Sequence, residues 1–385
     1  MPELRVPLDV PLDARAAADL RGRLFHAHPG IVRVDILAGE ILLHLREEVP
    51  GLAERVLSFA RAMVHTDIPW HGRLLDRQDL PASAFREDPV PSLQAAGEAI
   101  LLDRGRVAFG PVLTRLQQGL ARRFASMGEA LGCLPYAFPS LLTLADLRRT
   151  GHLESFPHAV SFVSHFREDL EVLTAYAARL RRGAPDAPAA GELAEAGCVL
   201  SPTVCYHAYR ALEGAALPES GKALWAVGKC FRYEAGNLTG IDRLWDFTML
   251  ELIFLGGRSG VLAQREALLR ETAAFARQAG YAFTLETAND PFFADGYAAK
   301  RLYQEIHELK FEMRLALPHR GDDLACASYN AHRDFFGTRF SLAAGGAPAH
   351  TACVGFGLER WVYATVCQFG PDPERWPGIL RDLLR

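Results

Sequence analysis

Cys230-Phe-Arg-Tyr-Glu234 and, far downstream, Gly355-Phe-Gly-Leu-Glu-Arg360 are the two stretches whose reading decides this chain. Each delivers an arginine. A planar guanidinium grips a phosphate through paired N–H donors and keeps its charge near neutrality. Leu224–Phe231 and Phe247–Leu255 read as strands flanking a polar, turn-rich segment, Glu234–Asp246. Two antiparallel strands joined by such a loop can hold a nucleotide between them. Arg232 and Glu234 are two apart, so on an extended chain they face the same way. Phe247 opens the second strand, where its ring can stack on a purine. Thr351–Val354 reads as a strand that runs into Gly355 and a helix through Val366, bringing Arg360 from behind the sheet. No Gly-x-x-x-x-Gly-Lys-Ser/Thr phosphate loop occurs in the chain. Taken singly, each arginine also fits an ordinary surface or core-lining ion pair.

Around these stretches the periodicity predicts a large α+β unit over residues 94–385, with an antiparallel sheet flanked by helices. Val112–Gly128 places Leu113, Leu116, Leu120 and Phe124 on one helical stripe, and Leu262–Gln278 is a second strong helix. Phe166–Arg182 reads as helical and stops at Arg-Arg-Gly-Ala-Pro. Ala137-Phe-Pro139 reads as the end of a strand; Phe311–Leu317 and Ala325–Tyr329 read as further strands. Residues 1–66 form a separate small unit with the order β-α-β-β-α. Its strands are Arg5–Val10, Ile31–Leu37 and Glu40–Leu45, and its helices are Ala14–His26 and Val49–Met63. Residues 67–93 lose this pattern, collect Pro69, Pro81, Pro89 and Pro91, and read as a linker.

The bulk numbers bound the function. The chain has 385 residues, 49% of them hydrophobic, room for one large domain and a smaller one. A net charge of −4 lacks the basic excess of a nucleic-acid binder. The start MPELRVPLDVPLD has no basic, then apolar, export pattern, and no apolar run is long enough to span a bilayer. The seven cysteines are odd in number and scattered. A reduced cytoplasm is expected, with thiols in cores or on metals rather than in disulfides.

Cys230-Phe-Arg-Tyr-Glu234 resembles the second signature motif of class II aminoacyl-tRNA synthetases, and Gly355–Arg360 resembles the third. Pro139 sits where the first motif's proline is expected. Arg243-Leu-Trp-Asp-Phe247-Thr-Met-Leu-Glu251 looks like the close of the second motif in the seryl branch. The resemblance runs from about residue 94 onward. Two departures narrow it. The chain has no charged heptad run for a tRNA-reaching coiled-coil arm. Leu200-Ser-Pro-Thr-Val-Cys205 carries Cys205 where seryl enzymes have a Thr-x-Glu glutamate, and Cys353 lies just before the third motif. This is similar to the zinc-bearing seryl-like group, which includes the amino acid:[carrier protein] ligases.

The resemblance implies a fold, a reaction and a set of site residues. The fold is a class II catalytic core behind the small N-terminal unit. ATP activates a small amino acid (glycine, alanine or serine) as its adenylate, which then passes to the phosphopantetheine thiol of a carrier protein. Arg232 would hold the α-phosphate and the carboxylate, Glu234 the adenine amino group, and Arg243, beside Leu244, the β- and γ-phosphates. Phe247 would stack on adenine, and Arg360 would hold the γ-phosphate and the other ring face. Cys205, Glu251 and Cys353 would bind zinc and leave a fourth position for the substrate amine. Magnesium is expected on the phosphates, with Ser328 and Asn330 on the floor of the site. Ala325 stands where the group has an acidic residue.

A homodimer is implied, with no tRNA and no membrane. Arg148-Arg149 or Arg181-Arg182 would meet an acidic carrier. Cys133, Cys198, Cys230, Cys326 and Cys367 are read as packing residues, and His158, His207, His332 and His350 receive no role. The alternatives are a seryl-type aminoacyl-tRNA synthetase, a synthetase-like enzyme with a different acceptor, or a non-catalytic paralogue.

Overall fold

The computed structural model describes residues 1–8, 12, 14–65, 73–183, 186–238, 240–288 and 308–385. Through His65 the order is β1 (Glu3–Pro7), α1 (Ala14–Leu24), β2 (Ile31–Leu37), β3 (Glu40–Leu45) and α2 (Leu52–His65). The strands pair in the order β1-β3-β2. Val6, Val34, Ile41, Leu43 and Leu45 from the strands meet Leu20, Leu24, Leu52 and Val56 from the helices in a core of their own. Burying these side chains is the driving term: each contributes roughly 1.5–3 kcal/mol before chain entropy is set against it.

Beyond it come β4 (Leu74–Gln78), α3 (Val90–Ala95), the hairpin β5 (Ala99–Asp103) and β6 (Arg106–Phe109), α4 (Pro111–Glu129) and β7 (Leu134–Pro135). A lobe follows. It contains β8 (Leu141–Thr143), α5 (Leu144–Arg149), α6 (His152–Ser155), β9 (Phe162–Val163), α7 (Leu170–Arg181) and β10 (Cys198–Leu200). Then come α8 (Cys205–Ala211), β11 (Ala216–Leu217), β12 (Lys222–Phe231), β13 (Asp246–Gly256), α9 (Arg258–Gln278), β14 (Phe283–Thr287), β15 (Lys310–Leu317) and β16 (Asp322–Arg333). The chain closes with α10 (Phe335–Arg339), β17 (Ala343–Ala344), β18 (Ala347–Pro348), β19 (His350–Gly357), α11 (Leu358–Phe369) and α12 (Gly378–Asp382).

An eight-stranded sheet in the order β4-β14-β15-β16-β19-β13-β12-β7 carries the large unit, antiparallel except where β7 joins β12. Alternation along β13 assigns its two faces. Leu250, Leu252 and Phe254 turn into the main core with Leu116, Leu120 and Phe124 of α4, Phe275 of α9 and Trp361 of α11. Phe124 stacks on Phe356 of β19 at 4.1 Å, and a β-carbon on Gly128 would fall 2.0 Å from Leu252 Cδ2, so α4 lies hard against the sheet. Met249, Glu251 and Ile253 turn the other way, toward α8. Among the described residues, no helix is long and apolar enough to cross a membrane.

Several expected boundaries move. The segment expected as a linker supplies β4, which pairs with β14 at the sheet edge. Leu-Leu-Asp-Arg-Gln is an edge strand, and the charge that protects an edge hides its strand character. α7 begins at Leu170 because Asp169 caps it, accepting from the Glu171 and Val172 N–H groups; Phe166 instead bridges to Leu193. Ala137–Pro139 is not strand; Leu134–Pro135 is. Gly355 lies inside β19, and the helix starts three residues later at Leu358.

Candidate nucleotide and metal site

The sheet face opposite the main core carries the two cysteines and the glutamate expected to bind metal. β13 lies between β12 and β19, with Glu251 opposite Gly355 and Ile253 opposite Cys353. Glu251 and Cys353 are therefore diagonal neighbours on one face. Cys205, first residue of α8, completes the group: one ligand atom from each of Cys205, Glu251 and Cys353 lies within 4.8 Å of the others, and all three residues are buried. Glu251 is fixed by the turn before α8. Its carboxylate accepts the Val204 N–H at 3.1 Å, the Cys205 N–H at 2.9 Å and the Thr203 hydroxyl.

Two thiols and a carboxylate in the same buried space are a charge problem. Burial, aided by the Cys353 charge, pushes the Glu251 carboxyl up to about 6 against those hydrogen bonds. Burial with Cys353 and Glu251 beside it also pushes the Cys205 thiol up, while the hydrogen bond with Cys205, and then His332, draw Cys353 down. A divalent cation relieves this, and two thiolates with one carboxylate suit zinc while leaving a tetrahedral position open. Around Cys353, Asn330 Nδ2 approaches Sγ at 3.6 Å and His332 Nε2 at 3.8 Å. His332 Nδ1 in turn faces Tyr209 at 3.4 Å and Thr351 at 3.1 Å.

The four arginine and glutamate positions converge beside this group, though not as extended-chain spacing predicts. β12 ends at Phe231, so Arg232 and Glu234 lie beyond the strand rather than on it. Arg232 turns back: Nε donates to the Pro202 carbonyl at 3.0 Å, and its guanidinium lies 5.4 Å from the Phe247 ring. Glu234 begins a short turn, Ala235–Asn237, and accepts from Arg243 at 2.7 Å. Burial opposes ionisation of Glu234, but Arg243, Arg360 and Arg232 outweigh it and hold its carboxyl below the usual range. Arg360 joins two walls, donating to the Asp242 carbonyl at 3.1 Å and to the Ala325 carbonyl at 3.0 Å. Leu244 is buried. A β-carbon on Gly355 would meet Met249 Cε at 2.7 Å and Ser328 Oγ at 3.5 Å, so a bare glycine keeps this floor open.

Other parts of the site carried no sequence signal or carried it elsewhere. Glu359 accepts the Thr248 N–H at 2.8 and 2.9 Å and its hydroxyl at 2.7 Å, tying the start of α11 to β13. Asp242 pairs with Arg320 at 2.9 Å and so holds the loop that presents Arg243. Ala325 contributes its carbonyl to Arg360 and no acid. Glu312 lies opposite Ser328 across β15 and β16, ion-paired to Lys310 and Arg314 at 3.0 Å each. Arg149 is engaged by Glu213 at 2.6 Å and by the Arg339 carbonyl at 2.7 Å, which favours a structural role over a carrier contact. Cys133, Cys230, Cys326 and Cys367 are buried, and burial keeps them as thiols, Cys133 and Cys326 at about 12.

Known proteins resemble the chain in both sequence and fold. It is 33% identical over 276 residues to amino acid–[acyl-carrier-protein] ligase 1 of Bradyrhizobium diazoefficiens, covering 70% of this chain and 83% of that one. It is 35% identical over 249 residues to ligase 2 of the same organism, covering 64% and 73% respectively. The crystal structure of A. aeolicus tRNASec in complex with M. kandleri SerRS superposes with a TM-score of 0.74 at 20% identity, over 99% of this chain and 77% of that one. No family model matches the chain.

Proposed function

The chain belongs to the amino acid–[acyl-carrier-protein] ligase family, and from that premise we propose how its site works. The protein is a ligase that loads an amino acid onto a carrier protein. In our reading it does so with ATP, in two steps. A carboxylate oxygen of a small amino acid attacks the α-phosphorus in line; the bond to the β-phosphate oxygen breaks, pyrophosphate leaves and an aminoacyl-adenylate forms. The phosphopantetheine thiol of the carrier then attacks the activated carbonyl, AMP departs, the thiol proton passes to solvent, and a thioester results. The arm is itself the nucleophile, so the protein need only position groups and offset charge.

Arg232 holds the α-phosphate against the incoming carboxylate. Glu234, kept ionised by three arginines, accepts the adenine amino group. Arg243 and Arg360 take the outer phosphates, and Phe247 covers the base. Cys205, Glu251 and Cys353 hold zinc, which when bound supplies a Lewis-acid position for the α-amino group as the neutral amine. Thr203 and the Val204 and Cys205 N–H groups keep Glu251 aimed into that position, and Asn330 and His332 do the same for Cys353. Magnesium would accompany the phosphates and offset their charge, with Ser328 on the floor of the site. Ile100, Leu101 and Leu102 on the β5–β6 hairpin and Leu134 on β7 are 45–63% exposed, apolar surface that a homodimer would cover.

One observation carries this reading: Cys205, Glu251 and Cys353 cluster on one sheet face, and Glu234 is held by Arg243, Arg360 and Arg232 at the loop that joins β12 to β13 on that sheet. Amino-acid-dependent ATP–pyrophosphate exchange over the twenty standard amino acids tests it. Exchange with one small amino acid, lost in Cys205→Ala, is the expected result. Transfer to a phosphopantetheinylated carrier, followed by intact mass, then separates this reading from one in which tRNA is the acceptor. Wild-type, zinc-loaded protein that exchanges with none of the twenty would overturn it.

A further inference from the structure

The loop between β12 and β13 presents Arg232, Glu234 and Arg243, yet neither strand holds them. Its conformation has to be imposed from outside. Ala235 takes a left-handed backbone, φ 45°, a region that non-glycine residues leave unless their surroundings fix it.

Much of that surrounding structure is the small N-terminal unit. The Gly22 carbonyl, near the end of α1, accepts the Asn237 side-chain amide at 3.2 Å. Phe25 packs against the loop backbone: a β-carbon on Gly236 would fall 1.9 Å from Cδ1 and 2.1 Å from Cε1 of its ring. Gly236 is buried, and no side chain fits there while the ring is in place. His26 meets His158 edge-on, with ring centroids 4.8 Å apart. His158 belongs to the single turn Pro157–Ala159, and the Ala159 carbonyl accepts the N–H of Tyr233, the residue between Arg232 and Glu234, at 3.0 Å. Ser161 then accepts from Trp245 Nε1 at 2.8 Å on the far side of the loop. The N-terminal unit therefore grips the loop directly at 236–237 and again through the 158–161 segment.

We infer that the end of α1, through Gly22, Phe25 and His26, is a positioning element of the adenylation site that sets the loop for ATP. The role rests on the adenylating reading above. Phe25 touches no substrate; it acts through Gly236 on the residues that do. Loosening the loop weakens ATP binding before it touches zinc or the amino acid.

The test is ATP–pyrophosphate exchange, with melting temperature and zinc content, on wild type, Phe25→Ala, Asn237→Ala, Gly236→Ala and the Phe25→Ala/Gly236→Ala double variant. Both single truncations are expected to raise KM for ATP at least about five-fold and leave kcat and amino-acid KM within about two-fold. Gly236→Ala is expected to lose about ten-fold or more in kcat/KM, because its methyl enters the space of the ring. Truncating Phe25 vacates that space, so the double variant should return to the level of Phe25→Ala. Asn237→Ala removes only a loop side chain and keeps the test valid should Phe25→Ala melt early. Unchanged KM for ATP in both truncations, or a double variant no better than Gly236→Ala, would overturn the positioning role. Absence of exchange in wild type would overturn the adenylating reading itself, and this role with it.

Discussion

Glu234 and Arg243 close the mouth of the loop with an ion pair of 2.7 Å, their side chains 26% and 49% exposed. At that exposure the pair contributes little to folding, about 0–1 kcal/mol. Separating the two groups for a nucleotide is correspondingly cheap. Glu234→Gln is therefore expected to leave the denaturation midpoint almost unchanged and to raise KM for ATP by about ten-fold, the cost of one charged hydrogen bond. Urea denaturation and exchange kinetics on the same preparation check both halves. A large stability loss would mean that the pair is structural.

The proposed metal ligands predict a different signature. Cys205→Ser and Cys353→Ser each remove a thiolate from a buried set already short of neutralisation, and Glu251 is held by three donors that do not depend on the metal. Zinc, measured by elemental analysis, should fall from about one per chain to below about 0.1. Exchange activity should fall about 100-fold or more, while the far-ultraviolet circular dichroism stays that of wild type. Chelation of wild type should lower the melting temperature, since a ligand that binds only the folded state stabilises it.

Glu359 makes the second motif's strand and the third motif's helix one body. Its carboxylate takes both the N–H and the hydroxyl of Thr248. Glu359→Gln puts an amide donor against the Thr248 N–H, and the loss of stability should be about 1–3 kcal/mol. Thr248→Val keeps the N–H contact, loses the hydroxyl alone, and should cost less. Equilibrium unfolding of the two variants checks that order.

These residues show what a sequence exposes and what it hides. The stripe Leu113, Leu116, Leu120, Phe124 and the runs 224–231 and 247–255 are legible because helical and strand periodicity are local. Motif spacing makes Arg232, Glu234 and Arg360 legible as a set. Cys205, Glu251 and Cys353 are not locally legible: they meet only through the strand register that sets Ile253 opposite Cys353 and the turn that begins α8. The extended spacing of Arg232 and Glu234 misleads, because β12 stops at Phe231 and the chain turns. β4 is hidden by its own edge charges. The seat of Phe25 on Gly236 joins residues from different units, and no pattern within either unit signals it.

His158 carries the last prediction, a dependence of stability on pH. Burial is the largest effect on its imidazole; with His26 and Arg23 adding to it and Glu234 opposing, the pKa falls to about 4 from 6.5. In the unfolded chain the ring returns to the ordinary value. Between these two values the unfolded state binds the extra proton and the folded state does not, so stability falls as pH drops from about 6.5 toward 4. The ring is only half-buried, so the loss discounts to on the order of 1–2 kcal/mol. His158→Phe keeps an aromatic ring against His26 and removes the titration. Carboxylates titrate in both proteins, so the difference between the two curves isolates the histidine. The wild-type melting temperature should gain on that of the variant as pH rises from about 4 to about 6.5, and the difference should hold constant above that. Parallel curves across that range would show that His158 does not have to lose its proton for the N-terminal unit to seat on the loop.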